Sequence, residues 1–380
     1  MLKRIQISYF FRYLGDALFY PFMSLYLVSK GIDGTRLGLI LGALPFVAIL
    51  ANFVCTFILK NHRFDKIILL SMLVFEGVLI LIYGLNLTFV FFLITTIFLG
   101  LVNTPYYSLL DSYTSTNIIN ENEYPKVRIM GTFAYVIGGA LGGYLIDYLG
   151  YFYVFLIAFI TYLISFIFLL TLKTKIGSEV VNEKAKVNLK IIFNSRFIVY
   201  LLFYVFVLGS KTIFDAYFNV YLESLSFDVT TIGIINSLII VSEFIMMLIM
   251  IKLLSKKINL KKMLVFCACT LIVKDLLFSL PLPSSLLVVI SMLRGVGWGG
   301  FLAMNITIIT QLVKKENLTP ALMIIATVYG LYRSIATIVA GSLYVEIGFK
   351  YLFLIIALLE LLGTLILVFS KSMGELYNEK

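Results

Sequence analysis

The chain has few polar residues. Only 13% of its 380 residues are charged, and it carries one histidine, one tryptophan, three cysteines and seven prolines. A soluble domain is about 25% charged and about 45–50% apolar, whereas this chain is 61% hydrophobic with a mean hydropathy of +1.04. Too little polar surface is present to cover it in water, which excludes a soluble enzyme, a nucleic-acid binder and a disordered scaffold. The lone His62 sits between apolar stretches, so the His, Asp and Glu cluster of a membrane enzyme is missing. Cys55, Cys267 and Cys269 all lie in apolar stretches. With no His or further Cys near Cys267-x-Cys269, packing outweighs a soft-metal site. There is no Walker sequence and no glycine-rich nucleotide loop. No cofactor is expected, and an ion gradient is the expected energy source.

Long apolar runs are what the chain does have. A helix that crosses a bilayer needs roughly 20 apolar residues, and twelve candidate spans can be read: 5–29, 36–59, 67–86, 88–115, 127–147, 151–172, 197–224, 229–254, 261–280, 285–313, 319–345 and 350–370. The first is expected to be a span and not a cleaved leader. It is long, carries Arg12 and Asp16, and has no small-residue cleavage site after it. Of the 30 Lys and Arg residues, with those at span ends counted to the adjoining loop, 22 fall on the side that holds both termini, three on the other side (Lys30, Arg36, Lys350), and five deeper inside spans. The positive-inside rule then places both termini in the cytoplasm. The net charge of +10 reports orientation in a cell membrane, not a nucleic-acid partner.

The one long polar interruption, 173–196, separates six spans (1–172) from six (197–380), and the halves repeat. At an offset of 195 residues, Tyr26/Tyr221, Leu27/Leu222, Ser29/Ser224, Asp33/Asp228, Thr35/Thr230, Gly38/Gly233 and Gly100/Gly295 coincide. At 198, Gly143/Gly341, Gly150/Gly348, Tyr153/Tyr351 and Phe155/Phe353 coincide. An even number of spans per half makes these parallel repeats. The pattern resembles the major facilitator superfamily, an all-α fold of 12 transmembrane helices with its substrate site near the midplane.

Local matches narrow the resemblance. Arg128-Ile-Met-Gly131-Thr-Phe-Ala134-Tyr135 resembles the Arg-x-x-Gly-x-x-Gly-Trp run of the lactose permease branch. In that branch the arginine pairs with a span-4 acid and binds sugar hydroxyls beneath an aromatic ring. The resemblance therefore implies roles for Arg128, Asp111 and Tyr135. Arg294-Gly-Val-Gly-Trp-Gly-Gly and Tyr329-Gly-Leu-Tyr-Arg333 are similar to the lactose permease and nucleoside:proton symporter branch. Span 10 lacks that branch's His and Glu, and the superfamily's loop 2–3 motif is reduced to Lys60-Asn-His-Arg-Phe-Asp-Lys66. A rival resemblance, Gly138-Gly-Ala-Leu-Gly142-Gly143 to drug:proton antiporters, lacks the proline and is outweighed by close helix packing.

Charges inside spans are costly, about 2.5–3.5 kcal/mol each on insertion scales, and mark function by default. Arg12-x-x-x-Asp16 and Lys211-x-x-x-Asp215 place a cation and a carboxylate on one face of spans 1 and 7. Asp16, Asp215 and Glu243 are candidate proton carriers, and Arg294 is the notable cation of span 10. Lys274 and Asp275, adjacent in span 9, point about 100° apart, and at most one is expected to face a cavity. Glu76 and Glu360 lie on normally peripheral helices and are expected to be structural. Tyr106 and Asn103 on span 4, with Arg333 on span 11, complete the candidate substrate contacts. The expected protein is a monomeric, proton-coupled symporter of a small polar, sugar- or nucleoside-like solute; the alternative is an antiporter exporting lipophilic compounds. Sodium in place of protons stays open, because the same carboxylates bind either.

Overall fold

The structure, a computed structural model, describes residues 2–58, 65–117, 123–172, 192–256, 258–314 and 317–370. His62, the Lys60-to-Phe64 part of the loop remnant and most of the central loop lie outside them. Every expected span is helical. The first bends: Leu2–Phe19 and Met23–Ser29 meet at a 3-10 turn, Tyr20–Phe22, where Pro21 removes a backbone donor. Gly34–Ile58, Asp65–Tyr83, Phe89–Asn117, Tyr124–Leu149 and Tyr151–Leu170 follow. Span 7 runs as Ser195–Phe203, a π-helical turn at Tyr204–Gly209, and Ser210–Ser224. Val229–Leu254, Leu260–Phe278, Ser284–Leu312 and Leu318–Phe369 complete the chain. The last of these holds spans 11 and 12, broken at Gly348.

Among the described residues, nine helices are long and apolar enough to cross a membrane by themselves. Spans 1 and 9 fall short because each carries four charged residues, and spans 11 and 12 count as one helix. Large apolar side chains such as Phe91, Val289, Ile306 and Phe369 are exposed. A lipid-facing surface requires this, and within the helices the backbone polar groups satisfy one another.

The chain packs as two compact units, Met1–Asn182 with Asn219–Ser237, and Glu183–Phe218 with Leu238–Lys380. The sequence repeat reappears as repeated hydrogen bonds. After span 1, Gly31 N–H donates to Val28 O (2.8 Å) and Ile32 N–H to Leu27 O (3.1 Å); after span 7, Ser226 donates to Glu223 O (2.8 Å) and Phe227 to Leu222 O (3.2 Å). Gly31 and Ser226 both take positive φ, 75° and 65°, the left-handed helix stop. The next helix starts each time on an aspartate: Arg36 N–H bonds Asp33 Oδ1 (3.0 Å) and Thr231 N–H bonds Asp228 Oδ2 (3.3 Å). Donation from the Thr231 hydroxyl and backbone holds the Asp228 carboxyl below its ordinary range.

A second repeated device joins spans 3 and 9 to the ends of spans 6 and 12. Lys66 Nζ donates to Leu170 O (2.7 Å) and Leu172 O (2.5 Å). Lys261 Nζ donates to Val368 O (3.1 Å) and Ser370 O (3.3 Å). Each lysine supplies a donor and a positive charge where a helix C-terminus has carbonyls to spare.

Gly150 (φ 83°, ψ 164°) and Gly348 (φ 80°, ψ 165°) turn span 5 into 6 and span 11 into 12. That region belongs essentially to glycine, and holding another residue there costs on the order of 1–3 kcal/mol. Gly150→Ala and Gly348→Ala are each expected to lower the thermal unfolding midpoint of the purified protein. An unchanged midpoint would refute this reading of the two turns.

Candidate functional site

In the first unit, three charges are sealed from solvent. Arg12, Asp16 and Glu76 are each 0% exposed; Arg12 Nη1 bonds Asp16 Oδ1 at 2.5 Å and Nη2 bonds Glu76 Oε2 at 2.8 Å. One guanidinium cannot neutralise two carboxylates, and neutral donors meet the surplus. The Tyr20 hydroxyl and Asn103 Nδ2 each donate to Glu76 Oε1 at 2.8 Å, and the Tyr162 hydroxyl donates to Asp16 Oδ1 at 2.5 Å. The Tyr107 hydroxyl donates to Asp16 Oδ2. The rings of Tyr162, Tyr106 and Tyr107 lie 4.3, 4.6 and 5.0 Å from the guanidinium carbon. Buried cations gain most from such faces, because no water competes.

An aromatic band leads from this cluster to an open pair. Tyr13 packs against Tyr107 (5.2 Å), Tyr9 (5.9 Å) and Tyr135 (6.0 Å between centroids), and the Arg128 guanidinium lies 5.1 Å from its ring. Arg128 and Asp111 approach to 3.8 Å with side chains 49% and 35% exposed. At that separation the contact is electrostatic, too long for a hydrogen bond, so the donors of the guanidinium fork remain available. Asp111 is fixed by the Tyr9 hydroxyl (2.9 Å), which also reaches Thr114 (3.0 Å), and by the Tyr124 hydroxyl. A fork with free donors, an oriented carboxylate and adjoining rings can bind a solute bearing hydroxyls and a flat face.

The second unit carries a partly accessible cluster. Arg294 bonds Asp215 through Nε (3.0 Å) and Nη2 (3.1 Å), and Glu243 Oε2 through Nη1 (2.8 Å). Lys211 Nζ lies 2.6 Å from Asp215 Oδ2 and 4.0 Å from the Trp298 ring. Two cations face two carboxylates, so the cluster is neutral. Lys211 stands two residues past the end of the π-helical turn, a feature frequent at functional sites. Gly295 and Gly299 make this geometry possible by packing span 10 onto the backbone of span 8 at Ile239 and Glu243. Gly100 packs span 4 on Leu44 of span 2 in the same way.

Several candidates stand elsewhere than expected. Tyr106 is 0% exposed and covers Arg12, and Asn103, half-buried, donates to Glu76. Tyr135 is half-buried and edge-on to Tyr13, and it is Tyr13 whose ring lies against the Arg128 guanidinium. Arg333 is exposed, with the Tyr329 hydroxyl in its field. Glu76, expected to be structural, is sealed against Arg12. Lys274 and Asp275 are both 0% exposed and pair with each other at 2.5 Å, although side chains adjacent on a helix start out in different directions. Cys267 is buried against Gly300, and Cys269 is exposed.

The span-5 glycines are all used in packing. Gly138 and Gly142 face Ala17 and Phe22 of the first span, while Gly139 and Gly143 face Ser237 and Gly233. The Ser237 hydroxyl donates to Val136 O at 2.7 Å, and Asp147 Oδ2 accepts from the Thr230 N–H at 2.7 Å.

Comparison with known proteins agrees with this architecture. The MFS_1 like family matches residues 2–355. The fold is shared with a crystal structure of a point mutant of the nucleoside transporter NupG, at 16% identity, TM-score 0.83, covering 98% of this chain and 100% of that one. A second NupG structure superposes at 16% identity and TM-score 0.79, covering 97% and 98%. A POT family transporter in complex with a thioalcohol-conjugated peptide follows at 12% identity and TM-score 0.74, covering 98% and 96%. No curated protein matches the sequence.

Proposed function

Because the chain belongs to the MFS_1 like family, and so is a multi-pass membrane transporter and not an enzyme, we propose that it moves a polar, nucleoside-like solute by proton-coupled symport. The open Arg128–Asp111 pair carries this reading. Its unused guanidinium donors suit adjacent hydroxyls or a base carbonyl, Asp111 suits a hydroxyl or amino donor, and the Tyr13 and Tyr135 rings suit a flat heterocycle. The fold shared with a protein described as a nucleoside transporter favours the same class. The second unit offers the proton carrier: Glu243 has one cation against it, Asp215 two. A proton on Glu243 gives up one Arg294 hydrogen bond, whereas a proton on Asp215 weakens contacts with both Arg294 and Lys211. The excess of basic residues on one side favours a cytoplasmic-membrane protein with both termini inside.

Export of lipophilic compounds keeps little to favour it, since the glycines that suggested it are accounted for by helix contacts. The direct test is Arg128→Lys in vesicles. Lysine keeps the charge but loses the planar fork. Losing charge-assisted hydrogen bonds worth about 1.5–3 kcal/mol predicts roughly 10- to 100-fold weaker apparent affinity for a nucleoside. Unchanged affinity would remove Arg128 from the site.

A further inference from the structure

The second unit holds another sealed cluster. Lys274, Asp275 and Glu360, from spans 9 and 12, are each 0% exposed. Lys274 Nζ bonds Asp275 Oδ1 at 2.5 Å and lies 3.2 Å from the centroid of the Phe214 ring. Beyond that contact no donor among the described residues reaches the carboxyl groups: Asp275 Oδ2 and both Glu360 oxygens are buried without one. Yet the two carboxyl groups stand within hydrogen-bonding reach of each other. Two ionised carboxylates are acceptors only, and sealed against each other they repel with no water to screen them.

The first unit shows how the same deficit is met there. Arg12, Asp16 and Glu76 also number one cation against two carboxylates, but the hydroxyls of Tyr20, Tyr107 and Tyr162 and the Asn103 amide supply the donors. Tyr162 and Glu360 stand 198 residues apart, the offset of the repeat in spans 5–6 and 11–12. Where the first unit has a tyrosine hydroxyl that donates, the second has a carboxyl group. The charged and titratable groups around it are Lys274 and Asp275 on span 9, Lys211 and Asp215 on span 7, and the Tyr332 hydroxyl on span 11. Lys211 is already engaged by Asp215 at 2.6 Å, and the Tyr332 hydroxyl is paired with Ser210 at 3.0 Å.

We infer that Asp275 and Glu360 form a proton-binding site, holding one proton in a shared carboxyl–carboxylate hydrogen bond, with Lys274 balancing the remaining negative charge. The site is separate from the accessible Asp215 and Glu243. It follows from charge and donor counting, whether or not solute movement is proton-coupled.

The test is infrared spectroscopy of the full chain in lipid nanodiscs at neutral pH. The wild type is expected to show a carbonyl band of a protonated carboxyl group that shifts in heavy water. Glu360→Gln and Asp275→Asn are each expected to lose it, because the surviving carboxylate pairs with Lys274 and stays ionised. Lys274→Met reads the opposite direction and is expected to gain a second acid band as the lost cation is replaced by a proton. Retention of the wild-type intensity in both carboxyl variants would overturn the inference. So would the absence of a gain in Lys274→Met. If a carboxyl variant fails to fold, the lysine variant still decides the question.

Discussion

Arg12→Met is expected to destabilise the first unit by about 3–5 kcal/mol, the usual cost of removing one partner from a buried ion pair. The replacement is apolar and unbranched and fills much of the arginine's aliphatic stem, while Asp16 and Glu76 lose the cation they share. Five neutral donor or ring partners (Tyr20, Asn103, Tyr107, Tyr162 and Tyr106) then surround two uncompensated negative charges. The expected observation is a large drop in the unfolding midpoint or in the yield of folded protein. Adding Asp16→Asn and Glu76→Gln to Arg12→Met removes both charges and should recover much of the loss, since an apolar or neutral replacement of a whole buried ion cluster is often tolerated. A single variant as stable as wild type would mean that the cluster is not sealed as described.

The second large effect falls on transport. Glu243→Gln is expected to abolish uphill accumulation while leaving exchange of labelled for unlabelled solute across the membrane. The amide keeps the size of the side chain and an acceptor for Arg294, so the helices of the second unit still pack, but no proton can be gained or lost there. Asp215→Asn is expected to impair both activities, because Asp215 holds Arg294 and Lys211 in place. Loss of exchange along with accumulation in Glu243→Gln would give Glu243 a solute-binding or structural role in place of the coupling one. Full retention of accumulation would remove it from the machinery.

Much of the fold is legible in the sequence because membrane helices advertise themselves by length and composition, and because the repeat rests on residues with fixed backbone duties. Gly150 and Gly348 match since the turn demands a conformation that other residues avoid. Asp33 and Asp228 match since each starts a helix by accepting from its backbone. The pairs Arg12–Asp16 and Lys211–Asp215 are likewise legible, because i,i+4 spacing fixes which side chains meet on one helix.

The partners contributed by other helices are not legible. Glu76 joins Arg12 from 64 residues away, and nothing in its own span reports which face turns toward span 1. Tyr13 has a local signal, being one turn after Tyr9 and next to Arg12, but the chain has 24 tyrosines and most are packing. Tyr106 misleads for a related reason. A polar ring beside Pro105 looks like a ligand contact in sequence, whereas the buried guanidinium of Arg12 claims its face. Glu360 and Asp275 carry no pairing signal until spans 9 and 12 are seen packed together.

The most direct measurement is proton movement in proteoliposomes holding the purified chain and an internal pH dye, with a panel of nucleosides, sugars and lipophilic cations added outside. Proton entry triggered by a nucleoside or another hydroxylated solute, weakened by Arg128→Lys and abolished by Glu243→Gln, is the predicted result. Proton movement opposite to a lipophilic cation, with no response to any hydroxylated solute, would contradict it.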